Sequence, residues 1–68
     1  MAQRYVEFIH DVLITLHANI RELKERRNFA DSEELTHIEA KLLAYNEMLS
    51  ILQSSADEFG IDKREVGL

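Results

Sequence analysis

The stretch Leu23-Lys24-Glu25-Arg26-Arg27-Asn28-Phe29-Ala30-Asp31-Ser32-Glu33-Glu34-Leu35-Thr36-His37-Ile38 decides how this chain folds. It holds a polar break near Ala30 and Asp31, and the sequence is mirrored about that break. Toward the N-terminus the run Arg27, Leu23, Ile20, Leu16, Leu13, Ile9, Val6, Ala2 steps alternately by three and four residues. Toward the C-terminus the run Leu35, Ile38, Leu42, Tyr45, Leu49, Leu52, Ala56, Phe59 does the same. Such stepping marks the seam of a coiled coil. Folding the chain at the break pairs 27 with 35, 23 with 38, 20 with 42 and 16 with 45. It continues with 13 and 49, 9 and 52, 6 and 56, 2 and 59, each pair adding to 61 or 62. One register is therefore specified. The fold class is all-α, an antiparallel two-helix hairpin of coiled-coil type, with a second copy expected to complete a four-helix bundle.

The local signals agree with the seam. The first helix is expected over about 2–28, because no proline occurs and no glycine precedes Gly60. Arg21, Lys24, Arg26 and Arg27 gather near its C-terminal, negative end of the helix dipole. The turn spans about 28–31, and Asn28 is the residue in it that best tolerates a left-handed conformation. Asp31 is a good N-cap. Glu34 three residues on completes a capping box, and Ala30 with Leu35 has the spacing of a hydrophobic staple. The second helix is expected over about 32–59. Gly60 then suits the left-handed position after the helix, with Ile61 folding back onto Ala56 in a Schellman motif. The hairpin domain is thus 1–60. The remaining 61–68 reads as a short, polar, mobile tail, although Asp62 with Glu65 has the form of a pair that starts one more turn.

Size and composition narrow the function classes. A chain of 68 residues is one small domain, and a single core of this size rarely supplies more than about 3–5 kcal/mol. There is no cysteine, so neither a disulfide nor a thiolate metal site adds support. Association with another chain is the natural remaining support. The formal net charge of −5 runs against broad binding to phosphate backbones. No apolar run reaches the roughly 20 residues of a membrane span. The segment Met1-Ala2-Gln3-Arg4 has none of the parts of a signal peptide, so cytoplasmic residence is the expectation.

The two sides of the seam differ. With a at 6, 13, 20, 27 and at 35, 42, 49, 56, the e positions pair Lys24 with Glu39, His17 with Asn46 and His10 with Gln53, a polar rim. The g positions pair Arg26 with Glu34 near the turn, then Val12 with Met48 and Tyr5 with Ser55. With the adjoining c positions, Tyr5, Phe8, Val12, Ala44, Met48 and Ile51 make a second apolar stripe toward the open end. A hairpin cannot bury this stripe alone, and contiguous apolar patches mark interaction surfaces. These six residues are the candidate protein interface. Ile14 and Leu43 fall outside it at b positions.

Chemistry finds little support in the residues. Glu7 with His10 and Glu34 with His37 match the Glu-x-x-His spacing that holds metals in di-iron bundles. They fall at b, e, g and c positions and at opposite ends of the hairpin, so no metal or other cofactor is expected. No nucleophile–base set or glycine-rich phosphate loop can be assembled, so the chain is not expected to be an enzyme. The cations near the turn are interleaved with Glu22 and Glu25 and face Glu34 and Glu39, which makes internal pairing their expected role.

Two resemblances widen the choice of partner. The size, the hairpin and the Phe59-Gly60 end of helix 2 resemble the plasmid copy-number regulators of the Rop type, dimeric bundles that bind paired RNA loops. Arg4 is the only cation before Arg21 in helix 1, so the basic face of that family is not carried over and nucleic acid is not the expected partner. The stretch Ala44 to Leu52, after a polar turn and a capped helix, is similar to the hairpin co-chaperones of type III secretion. Those pair with a larger protein to hold an aggregation-prone needle subunit. The leading expectation is a non-enzymatic interaction module that pairs with itself or with another helical protein, with no small-molecule substrate. An adaptor or co-chaperone is the alternative, and an RNA-binding regulator a more distant one.

Overall fold

A computed structural model describes residues 2–68; Met1, the first residue of the expected hairpin domain, lies outside them. The described residues form α1 (Gln3–Arg27), α2 (Ser32–Glu58) and α3 (Lys63–Val66), with no strand among them. Helices α1 and α2 pack as the expected antiparallel hairpin, a rod of 45 × 20 × 13 Å.

The seam is where the sequence placed it. Every buried residue of the long helices is a seam position: Leu13, Ile20 and Leu23 on α1, and Ile38, Leu42 and Ala56 on α2. Ile20, Leu23, Ile38 and Leu42 form one cluster, and Ala30, Tyr45 and Leu49 pack around it half-buried. These are the layers 23 with 38 and 20 with 42, set between residues the mirrored pattern brings together. Burial of such side chains, about 1.5–3 kcal/mol each, is what holds two otherwise marginal helices together.

The ends of the helices follow local rules, with two departures at the turn. Asp31 caps α2, its carboxylate accepting from the Glu34 amide at 2.9 Å. The Glu34 carboxylate lies 3.7 Å from Arg26 across the turn, so the reciprocal half of the capping box gives way to a cross-hairpin ion pair. Asn28, the turn residue best able to tolerate left-handed backbone, is right-handed, at φ −69° and ψ −18°. The last α1 turn instead tightens, with Asn28 and Phe29 amides donating to the Glu25 and Arg26 carbonyls. The chain then reverses through extended backbone at Asp31, so no residue needs a positive φ.

At the far end of α2 the expected Schellman motif is present. Gly60 sits at φ +66°, its amide donates to Asp57 and the Ile61 amide donates to Ala56 at 2.8 Å. The outermost layer of the seam differs from expectation: Ala2 is exposed and Phe59 is 77% exposed. Gly60 turns the chain back over the hairpin before that layer can close, and other residues fill its place.

Those residues belong to the expected mobile tail, which is instead folded. Asp62 caps α3, accepting from the Arg64 amide at 3.0 Å, and Gly67 at φ +91° ends it. Val66 is only 2% exposed, and Ile61 and Leu68 are half-buried. The Lys63 ammonium pairs with Asp57 at 3.1 Å and fixes α3 to the end of α2. Val66 supplies the apolar anchor that a purely polar tail would lack, and the Asp62 cap supplies the start of the turn.

Candidate interaction surface

The strap formed by 61–68 lies against one side of the hairpin. The His17 Nε2 lies 3.3 Å from the Gly67 carbonyl oxygen. A Cβ built on Gly67 would stand 3.0 Å from the His10 ring and 3.8 Å from Leu13. His10 and His17 are the e positions of α1, so the strap covers the e side, over Leu13, which is 0% exposed. The rim expected to face solvent is therefore partly roofed by the chain itself. Val66 and Leu68 join Ile9, Leu52, Ala56 and Phe59 around an apolar hollow at the open end.

Among the described residues the apolar side chains of the g side have no such cover. Tyr5, Val12 and Met48 are exposed, Phe8 is 66% exposed and Ile51 is 65% exposed. Ala44 is also exposed on the same flank. All six candidate interface residues are exposed, and the heptad register assigns them to one flank of the rod. Arg4 closes the stripe at the open end, its guanidinium 5.3 Å from the centre of the Tyr5 ring. Toward the turn the stripe runs into a groove between α1 and α2 lined by Asn19, Glu22, Arg26, Lys41, Ala44 and Met48. Its floor includes Tyr45, whose hydroxyl accepts from the Asn19 side-chain amide at 3.1 Å. A seam tyrosine thus places its polar tip at the bundle edge, as a half-buried phenol requires.

The flank is therefore divided along its length. Its open half is apolar, and its turn half carries Glu22, Arg26, Glu34 and Lys41. Patches of several hundred Å² are the size at which apolar surface on a small protein acquires a role. Phe29 at the turn and Ile14 and Leu43 on the outer faces are also exposed, but they do not join this stripe in the heptad pattern.

The two Glu-x-x-His pairs are far apart. His10 lies beside Gly67 at the open end, and Glu34 is turned to Arg26 near the hairpin tip. Among the described residues no three His, Asp or Glu side chains converge on a common point. No helix among them is long and apolar enough to cross a membrane.

The strap is the part of this surface that sequence reasoning missed. Its signals are present in hindsight: an Asp62 cap, a glycine at 67, and apolar residues at 61, 66 and 68 in an otherwise charged segment. Compared with known proteins, the chain matches no family model, no curated protein and no solved structure.

Proposed function

We propose that this protein is a non-enzymatic interaction module that pairs with a second copy of itself through the g flank. The observation that carries this reading is the inequality of the two sides. The chain's own strap lies over part of the e side, while the large apolar side chains of the g side stay exposed. A hairpin with one apolar flank left open is half of a four-helix bundle, and two-fold pairing is the commonest way for identical chains to cover such a face. The thinness of a two-helix core points the same way, since burial of the flank adds the support a domain of this size needs.

Sedimentation equilibrium of the purified chain tests this reading. A reversible dimer is expected, and Phe8→Glu or Met48→Glu should each weaken it by on the order of tenfold or more, as loss of a central apolar anchor does. Glu7→Lys, off the stripe, should leave it unchanged. A chain that stays monomeric at high concentration would end the homodimer reading. The flank would then await a different helical partner, the adaptor role, which Tyr5, Phe8 and the adaptable Met48 also suit.

A further inference from the structure

Resting on that homodimer reading, we propose that the second copy docks with its turn at the same end as the first, the two-fold axis running along the rods. The divided flank carries the argument. With the axis along the rods, α1 of each copy lies over α2 of the other, antiparallel, and residues at the same level meet. Phe8 then faces Ile51 of the second copy and Val12 faces its Met48, so the apolar half closes on the apolar half. At the turn half the Arg26–Glu34 pair of one copy meets the same pair of the second, Arg26 over Glu34, and Glu22 faces Lys41 of the second copy, so opposite charges alternate along this half. The whole 45 Å length can be covered with matched surfaces.

The other two-fold arrangement sets the axis across the rods and turns the copies end for end. Fully overlapped, it lays Phe8 against Glu22 of the second copy, Tyr5 against its Arg26 and Ile51 against its Lys41. The Phe8–Glu22 and Ile51–Lys41 contacts each remove a charge from water against an apolar surface with no opposite charge to meet it, which is costly. Sliding the copies until only the open halves overlap avoids those contacts. It also leaves both turn halves projecting and shortens the covered surface. Electrostatic complementarity along an interface fixes register in this way, by penalising the mismatched alternative. The strap meets α1 at His10, Leu13 and His17, away from the six stripe residues in the heptad register.

The test uses the absence of cysteine. Asn28→Cys in the full-length chain places one nitroxide label at the exposed turn, and dipolar spectroscopy of the dimer reads the distance between the two turns. With helices about 10 Å apart in a bundle, a separation of roughly 20 Å is expected. A separation near or beyond 45 Å, the length of the rod, would overturn the arrangement while leaving the dimer intact. A monomer by sedimentation would overturn both the arrangement and the homodimer reading. Charge exchange provides an independent arm. Lys41→Glu should weaken the dimer by about two- to fivefold, the scale of an exposed ion pair. Adding Glu22→Lys should restore it; a double variant no tighter than Lys41→Glu would also overturn the proposal.

Discussion

The two flanks of the hairpin begin from the same seam and end differently. On the e side the chain's own C-terminal residues fold back, bury Val66 and complete the cover of Leu13. On the g side Phe8, Ile51 and their neighbours stay open along the rod. One side is partly covered within the chain and the other stays exposed. The difference teaches that polarity of the flanking positions does not by itself say which side is free. The polar e side acquired a roof because its histidines and the seam beneath offered a carbonyl partner and an apolar seat. The apolar g side acquired none.

The largest expected effect strikes where the strap meets the seam. Leu13→Ala removes the most fully buried large side chain among the described residues, beneath both. It should destabilise by about 2–5 kcal/mol, which would leave much of the population unfolded in a urea titration. If the loss is below about 1 kcal/mol, the strap and the seam do not meet in a close-packed core there.

Undocking the strap separates the flanks directly. Val66→Asp sets a carboxylate in an apolar seat and should cost about 1–3 kcal/mol. The amides of 62–68 should exchange faster with deuterium and the Gly67 resonances should sharpen. The g-flank dimer should persist, since it shares no residue with the strap. A dimer lost together with the strap would show that the two sides are not independent.

Gly67→Ala is a finer probe. The site is left-handed, and the added Cβ would press on the His10 ring at 3.0 Å. A loss of about 1 kcal/mol is expected from the backbone conformation, read as a lowered denaturation midpoint and a shift of the His10 ring signals. The smallest effect should come from the turn. Arg26→Ala removes the exposed pair with Glu34 and should change hairpin stability by no more than about 1 kcal/mol.

The seam was legible because its signal is repeated: eight residues on each helix, seven steps of three or four, specify the same register. The N-cap at Asp31 and the glycine turn at Gly60 were legible because each depends on side-chain chemistry within a few residues. The apolar flank followed once the register was known. The conformation of Asn28 was not legible, since two ways of leaving a helix differ by little energy and the choice falls to the packing of the next helix. The strap escaped for a different reason. A segment as short as 61–68 has no periodicity to read, and the value of Val66 depends on Leu13, far away in sequence. Nothing local to the tail states that such a seat exists.

The His17–Gly67 contact joins residues fifty positions apart. The hairpin, by contrast, can close from its tip outward, each layer shortening the loop for the next. The entropy of bringing 61–68 home is therefore met only after α1 and α2 have aligned, when the long loop has already been shortened to the few residues after Gly60. The strap is expected to dock last and to open first, so a fastened clasp implies a closed zip beneath it, and an open clasp does not imply an open zip.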